Sequence, residues 1–297
     1  MRRAALIYNP RSGRQRHAQM LDAVLASLRA GGFAAEPVPT AHAGQATDLA
    51  RALAAAGEVE AVIAYGGDGT AREVAAGLLG SPVALGVLPG GTANLLALAL
   101  GLPREPVAAA ALLGRLPARP FDVGLAGGHP FLMMVSAGLD ASMLAGLDEK
   151  LKWRFGKSAI VWQGLAEWWR YPYPTLEVEA DGERFPATFV AVANIPFYAG
   201  AFRLAPDARP DDGLFELLVF RGAGRAATFS FAWDLVRSAA HVRRPDVTVR
   251  RVREVVLRGP AAAQLDGDLC REPLPLAVRM SPETLTVLAP EPIPGEA

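Results

Sequence analysis

A short run near the start of the chain, Gly66-Gly67-Asp68-Gly69-Thr70, has the residue types and spacing that phosphate chemistry requires. It follows an apolar stretch with strand character, Ala61–Tyr65, and precedes a stretch with helical composition. A glycine-rich turn at a helix N-terminus exposes backbone N–H groups that bind phosphate. A carboxylate beside phosphates is useful when it holds Mg²⁺ or removes a proton, so Asp68 is a candidate for either role.

Three further polar turns follow strand-like runs, at Asn9–Gly13, at Thr40 and at Gly90–Asn94. Between the strands lie helical patterns, such as the apolar residues at helical spacing from Arg16 to Ala30. Strands that alternate with helices predict right-handed crossovers and a parallel sheet. We therefore expect all four turns to gather at the carboxyl edge of one sheet, where open α/β sheets bind ligands.

The character of the chain changes near Phe121-Asp122. Beyond this point, short β-rich segments separated by turn residues predict a mostly antiparallel domain, interrupted by helical stretches over Lys157–Arg170 and Arg225–Ala240. The expected fold is an α/β N-terminal domain with a parallel sheet over residues 1–122, followed by a β-rich domain over residues 123–279. The final segment, near residues 280–297, is a candidate to return to the first domain.

Composition excludes several classes of protein. The 30 basic and 30 acidic residues balance, which argues against a nucleic-acid partner held by bulk charge. A single cysteine, Cys270, permits no intrachain disulfide and fits a cytoplasmic protein. The uncharged stretch from Val74 to Pro103 is long enough to span a bilayer, but prolines and glycines break it into short pieces. It therefore reads as buried sheet core, and no transmembrane segment is expected.

Ordered motifs along almost the whole chain resemble those of bacterial diacylglycerol kinases, in the superfamily that also contains sphingosine kinases and NAD kinases. The Gly66–Thr70 turn resembles the hallmark motif of the superfamily, but this motif alone does not distinguish the three kinds of kinase. Asn9–Gly13 resembles the Asn-Pro-x-Ser-Gly opening of the lipid-kinase branch, and Pro89–Asn94 is similar to its Pro-x-Gly-Thr-x-Asn loop. The matches in the second domain are Ala137–Asp140, Leu204–Pro206, Asp211–Gly213 and Gln264–Asp268.

The resemblance implies an NAD kinase-like first domain and an ATP-dependent kinase that phosphorylates a hydroxyl of a diacylglycerol-like lipid, in a cleft between the two domains. Mg²⁺ would be required. The implied partner is a lipid at the membrane surface, so peripheral membrane association is expected, and a homodimer is compatible with it. The nucleotide-binding candidates carried over by motif are Asn9, Ser12, Gly13, Thr40, Gly66, Gly67, Asp68, Gly69, Thr70, Glu73 and Thr92.

The same resemblance assigns catalytic and metal roles to several aspartates. Asp268 occupies the position of the family's catalytic glutamate, the base that takes the proton from the lipid hydroxyl, and Asp68 is the other catalytic candidate. Asp68, Asp122 and Asp266 are the candidates for the catalytic Mg²⁺. A structural Mg²⁺ site would use Asp212 with the backbone carbonyls of Arg209 and Leu214.

Two departures from the family pattern bear on activity. Asp268 is shorter than the family's glutamate by one carbon–carbon bond, about 1.5 Å, and displacements of about 1 Å can cost roughly 100-fold in rate. Leu95 stands where bacterial lipid kinases usually carry an aspartate. Two alternatives therefore stay open: a kinase acting on a soluble dinucleotide, as NAD kinases do, and a catalytically weakened regulatory protein that binds nucleotide or lipid.

Aromatic residues are densest between Trp162 and Tyr173, where Trp168, Trp169 and Tyr171 also lie close to Arg170. Aromatic rings with arginines suit a membrane interface, where a lipid kinase collects its substrate. They are equally suited to covering the core of the second domain.

Overall fold

The structure, a computed structural model, describes residues 1–10, 16–146, 157–200, 202–270 and 272–291. The N-terminal part is an α/β domain, as the sequence predicts. Its four parallel strands lie in the order β2-β1-β3-β4. They are β1 (Arg2–Tyr8), β2 (Phe33–Pro39), β3 (Ala61–Gly66) and β4 (Ala84–Pro89). All residues of β3 and β4 are buried, as expected for strands covered on both faces.

The described part of this domain contains five helices: α1 (Arg16–Ala30), α2 (Gln45–Ala56), α3 (Asp68–Leu78), α4 (Leu95–Ala99) and α5 (Pro106–Leu113). The end of β3 leads directly into α3, whose N-cap is Gly67. The end of β4 leads into α4, whose N-cap Asn94 has a left-handed backbone with φ 53°. Each of these strand-to-helix junctions therefore lies at the carboxyl edge of the sheet.

Two strands from distant parts of the chain complete this first sheet. β20 (Leu285–Leu288) is inserted between β4 and β5 (Ala118–Phe121), giving the order β2-β1-β3-β4-β20-β5. β20 is parallel to β4 and antiparallel to β5. A segment near the end of the described chain is therefore part of the core of the N-terminal domain, where Leu285 and Val287 are fully buried.

The second part of the chain contains two mostly antiparallel six-stranded sheets, in the orders β10-β9-β16-β19-β6-β7 and β15-β14-β11-β8-β17-β18. Their strands are β6 (Gly124–Ala126), β7 (His129–Phe131), β8 (Met134–Ala137), β9 (Leu176–Ala180), β10 (Glu183–Ala187), β11 (Phe189–Ala193), β14 (Phe215–Phe220), β15 (Val247–Val252), β16 (Glu254–Arg258), β17 (Ala263–Leu265), β18 (Asp268–Leu269) and β19 (Leu276–Met280). A separate short hairpin joins β12 (Phe197–Tyr198) to β13 (Phe202–Arg203). The two large sheets share one apolar core, in which Phe131 stacks on Phe215 at 5.4 Å between ring centroids.

Helices pack on the outer face of the second of these sheets: α6 (Leu139–Ala145), α8 (Gly224–Ser238) and a 3₁₀ helix at Ala240–Arg243. Helix α7 (Lys157–Arg170) packs against α6. Phe231 of α8 stacks on Phe220 of β14 at 4.5 Å between ring centroids. None of the helices in the described part of the chain combines the length and the apolar character that crossing a bilayer requires.

Candidate active site

Two glycine turns at the edge of the first sheet lie directly against each other. The Gly90 N–H donates to the Gly66 carbonyl at 2.7 Å. A Cβ atom on Gly91 would lie only 2.5 Å from the Gly67 Cα, closer than real Cβ contacts allow. Glycine at position 91 is therefore needed for the turn after β4 to approach the turn after β3.

Asp68 connects the same two turns through its side chain. It is the first residue of α3, and its Oδ1 accepts a hydrogen bond from the Leu96 N–H of α4 at 3.0 Å. Its Oδ2 accepts no hydrogen bond from any residue that the structure describes. One carboxylate oxygen thus fixes the geometry, and the other is available to a cation or a proton.

The other nucleotide candidates differ in what their side chains do. Thr40 follows β2, and its N–H donates to the Tyr8 carbonyl at 2.9 Å, so the turns after β1 and β2 are adjacent. The Glu73 carboxylate accepts hydrogen bonds from the N–H groups of Gly44 and Ala46, at 2.9 and 3.3 Å, and so caps α2. Asn9 lies just beyond β1, whereas Ser12 and Gly13 fall outside the described residues. Thr92 is exposed on the turn after β4.

A tight hairpin in the second domain carries the remaining catalytic candidate. β17 and β18 are joined by Asp266 and Gly267, which have φ values of 51° and 87°. Two successive left-handed residues of the type Asp-Gly form a type I′ turn, the preferred two-residue hairpin connection. This turn places Asp268 at the start of β18, directly opposite Leu265.

The Asp266 carboxylate is enclosed by backbone N–H groups. Its Oδ2 accepts from Leu132 at 2.8 Å, and its Oδ1 accepts from Met133 and Met134 at 2.9 and 3.0 Å. Burial raises the pKa of Asp266, while these hydrogen bonds and the charge of Arg72 lower it. These hydrogen bonds hold the hairpin against β8, and the role of Asp266 as a Mg²⁺ ligand stays a prediction.

Arg72 is a site residue that the sequence reasoning missed. One guanidinium N–H donates to the Leu265 carbonyl at 2.9 Å, and another pairs with the Asp268 carboxylate. Arg72 therefore ties α3 of the first domain to the hairpin of the second. A signal was present, since an arginine four residues after Asp68 on a helix shares its face.

A cavity of about 370 Å³ lies between the two domains. The first domain contributes Asp68, Ala93 and Leu95 to its walls, and the second contributes Met133, Met134, Asp140, Met143, Leu144, Gly164, Tyr198, Ala199, Gln264, Asp266 and Gly267. Most of these side chains are apolar. Leu95, at the position where the family usually has an aspartate, is one of the apolar wall residues.

A second, smaller cavity of about 140 Å³ lies under α8. It shares Asp140, Met143 and Tyr198 with the larger one. Asp140 accepts hydrogen bonds from the Ser136 hydroxyl, from the Ala141 N–H at 2.7 Å and from the Tyr198 hydroxyl at 3.3 Å. Burial raises the pKa of both Asp140 and Tyr198. A polar group is thus held at the boundary between two apolar spaces.

The Asp122 carboxylate lies against the turn at Asp211–Gly213, where its Oδ2 accepts from the Gly213 N–H at 2.6 Å. Burial raises the pKa of Asp122, and the neighbouring acidic residues add to this. In the same turn, the Asp212 carboxylate accepts from the Leu214 N–H at 3.0 Å and pairs with Arg251. Among the described residues, no group of three or more His, Cys, Asp or Glu side chains converges as a metal site. The metal roles of Asp122 and Asp212 therefore stay predictions.

This arrangement, an α/β domain with glycine turns facing a β-sandwich, is that of a known class of kinases. The family model for the diacylglycerol kinase catalytic domain matches residues 3–126. The model for the YegS C-terminal NAD kinase beta sandwich-like domain matches residues 133–289. A crystal structure from Bacillus anthracis str. Sterne superimposes with a TM-score of 0.81 at 23% identity, over 99% of this chain and 97% of that chain.

Sequence relatives with assigned names point to the same family as the fold does. Diacylglycerol kinase of Bacillus subtilis (strain 168) is 33% identical over 274 residues, which cover 90% of this chain and 89% of that protein. Diacylglycerol kinase of Staphylococcus carnosus is 30% identical over 259 residues, which cover 86% and 84%. The chain belongs to the diacylglycerol kinase family of lipid kinases, as its motifs predict.

Proposed function

We propose that this protein transfers the γ-phosphoryl group of ATP to a hydroxyl group of a diacylglycerol-like lipid. The observation that carries the proposal is the composition of the larger cavity. Its walls are mainly apolar, as an acyl-bearing substrate requires, yet the Asp68 carboxylate is part of them. The adjacent glycine turns offer backbone N–H groups to phosphate oxygens. A lipid hydroxyl and a bound nucleotide would thus meet beside Asp68.

In the proposed reaction, the lipid hydroxyl oxygen attacks the γ-phosphorus and forms a new P–O bond. The bond from the γ-phosphorus to the β,γ-bridging oxygen breaks, and ADP leaves with that oxygen. The hydroxyl proton passes to a carboxylate, either Asp68 or Asp268. The chain's main contribution is positioning and stabilisation of charge by the glycine turns, which is most of what phosphoryl transfer needs.

Asp68 is the residue whose geometry best fits Mg²⁺, because its Oδ2 is available while Oδ1 is fixed by Leu96. When bound, Mg²⁺ would neutralise phosphate charge. Asp268 is 67% exposed and paired with Arg72. In the proposed mechanism this pair fixes the position of the Asp268 carboxylate relative to Asp68. It thereby compensates for the shorter reach of an aspartate where the family has a glutamate.

The proposal is tested by Asp68→Asn, which keeps the shape of the side chain and removes its charge. We expect transfer of ³²P from labelled ATP to dioleoylglycerol to fall at least about 100-fold. Asp48→Asn is the matched control, because Asp48 also lies in the first turn of a helix but is exposed on α2. An Asp68→Asn variant with unchanged lipid phosphorylation would refute the assignment.

One second candidate has specific support. Leu95, an apolar residue in the cavity wall at the position where the family usually has an aspartate, favours a protein that binds nucleotide and lipid with little turnover. Calorimetry with ATP·Mg, followed by turnover assays on diacylglycerol and on NAD, separates the candidates. Binding of ATP without turnover of either acceptor would favour the weakened protein, and turnover of NAD alone would favour a dinucleotide kinase.

A further inference from the structure

We propose that the outward side of helices α7 and α8 is the surface by which this protein docks on an anionic lipid bilayer. This surface, here called the aromatic face, consists of Leu165, Trp169, Phe229, Trp233 and Val236. The inference rests on the proposed lipid-kinase function, because it specifies from which side the lipid reaches the cavity. It extends the membrane-docking role from the aromatic stretch at the end of α7 to α8.

The members of the aromatic face are exposed to an unusual degree for large apolar side chains. Trp169 and Phe229 are each 60% exposed, and Trp233 is 56% exposed. Phe229, Trp233 and Val236 recur at a spacing of four and three residues, so they share one side of α8. Leu165 and Trp169 have the same relation on α7. Contiguous exposed apolar groups of this size mark an interaction site.

Contacts between the two helices make the aromatic face one continuous surface. The Arg225 guanidinium lies 4.0 Å from the centre of the Trp169 ring and also donates to the Trp169 carbonyl. Ring centroids of Trp168 and Phe229 are 6.4 Å apart, as are those of Phe229 and Trp233. The aromatic rings therefore run without a break from the end of α7 along α8.

The charges around these rings favour an anionic bilayer over other occupants. Arg170 and Arg237 are exposed at the ends of α7 and α8, and Arg225 lies between the helices. The nearby acids are engaged: Asp234 pairs with Arg244 at 2.7 Å, and Glu167 accepts from the Ser142 hydroxyl. A surface of tryptophan and phenylalanine with arginine at its margin is complementary to the interface of an anionic membrane.

The inner sides of the same two helices line the apolar cavities. Gly164 of α7 contributes to the larger cavity, and Phe231 and Leu235 of α8 contribute to the smaller one. Only the thickness of a helix thus separates the aromatic face from the proposed lipid site. A bilayer in contact with this face would supply substrate next to the cavity in which it reacts.

The test uses the whole protein and vesicles of phosphatidylcholine with and without phosphatidylglycerol. We expect the serine variant, which combines Phe229→Ser with Trp233→Ser, to bind the anionic vesicles at least about tenfold more weakly than the wild type. The matched control is Phe229→Trp with Trp233→Phe, which keeps aromatic rings at both positions and should bind as the wild type does. A binding constant of the serine variant equal to that of the wild type would overturn the proposal.

The charge component is tested separately with Arg170→Gln and Arg237→Gln combined. We expect this variant to lose most of the preference for vesicles that contain phosphatidylglycerol. Arg184→Gln with Arg258→Gln removes the same charge from the other sheet, beside Glu177 and Glu179, and should leave the preference intact. Equal loss in both variants would show a general effect of net charge and overturn the assignment of this surface.

Kinase assays distinguish failure of this proposal from failure of the proposed function. Phe229→Ser with Trp233→Ser should reduce phosphorylation of dioleoylglycerol in vesicles about tenfold or more, yet retain phosphorylation of a dispersed short-chain diacylglycerol. If the wild type phosphorylates neither lipid, the proposed function fails, while vesicle binding still decides the docking surface. If instead the wild type sediments as a dimer and the serine variant as a monomer, while vesicle binding is unchanged, the aromatic face is a contact between two copies and the proposal is wrong.

Discussion

At the scale of single residues, the buried carboxyl groups of this structure differ in their effects on stability. Asp266 is enclosed by three N–H groups and holds a hairpin. Glu216, in β14, is only 3% exposed. Burial, followed by the negative charge of Asp207, raises the pKa of Glu216 to about 7. This carboxyl group therefore makes the stability of the protein depend on pH.

We predict that Glu216→Gln changes the pH dependence of unfolding. The unfolded chain releases the Glu216 proton near its ordinary pKa of 4.5, whereas the folded protein keeps it until about 7. As the pH rises between these two values, the contribution of Glu216 to the wild-type free energy of unfolding should therefore fall, and above them it should stay constant. Glu216→Gln removes this fall and should be more stable than the wild type at pH 8, by on the order of 1 to 3 kcal/mol. Urea unfolding at pH 4.5 and 8 measures the difference, and the exposed Glu183→Gln is the control.

Arg72 supports a second prediction about a single residue. Its partner Asp268 is largely exposed, so the ion pair contributes no more than about 1 kcal/mol to stability, and the hydrogen bond from Arg72 to the Leu265 carbonyl contributes about 1 kcal/mol more. Arg72→Gln should therefore lose at most about 2 kcal/mol in the free energy of unfolding. Its rate of lipid phosphorylation should fall about tenfold, because Asp268 loses its fixed position. Arg51→Gln, which also breaks a helix-surface ion pair, should change neither quantity. A full rate in Arg72→Gln would show that the pair has no part in the reaction.

At the scale of elements, the site depends on how closely the turns after β3 and β4 approach. Gly91→Ala would place a methyl group against the backbone of Gly67, so we expect a loss of about 1 to 3 kcal/mol in the free energy of unfolding. Gly69→Ala is the matched control, because nothing lies within 4 Å of its added methyl group. Alanine is the better helix former, and this control should be at least as stable as the wild type. Thermal unfolding distinguishes the two, and equal melting temperatures would contradict the prediction.

Local sequence patterns predict these elements well but not how they meet. Buried apolar runs followed by glycine turns predict the strands and helices of the first domain, because backbone and burial requirements there are local. The tie from Arg72 to Asp268 joins residues almost 200 positions apart, and no periodic pattern encodes such a contact. Phe229 and Trp233 are similarly uninformative in sequence, since an aromatic residue on a helix is usually in the core. Only their exposure in the structure indicates an interaction surface.

At the scale of the whole molecule, β20 makes the first domain depend on residues near the end of the described chain. Leu285→Ala removes a fully buried side chain from this strand and should cost about 2 to 5 kcal/mol. Thr286→Ala, on the partly exposed side of the same strand, should cost far less. All five tryptophans lie between Trp153 and Trp233, so tryptophan fluorescence reports on the second domain. In Leu285→Ala, the transitions followed by tryptophan fluorescence and by circular dichroism should both move to lower urea concentration than in the wild type. If the two transitions coincide, the domains unfold together.

The position of β20 also has a consequence for the order in which the protein folds during synthesis. Among the strands that the structure describes, β5 pairs only with β20 in the first sheet, and the β4 edge is likewise unpaired until β20 is in place. A nascent chain therefore presents an open strand edge throughout translation of the second domain, and open edges pair readily with other chains. β20 is made after every other strand that the structure describes, and it is the strand that closes this edge. Protection from aggregation by chaperones should consequently matter most before β20 has been made.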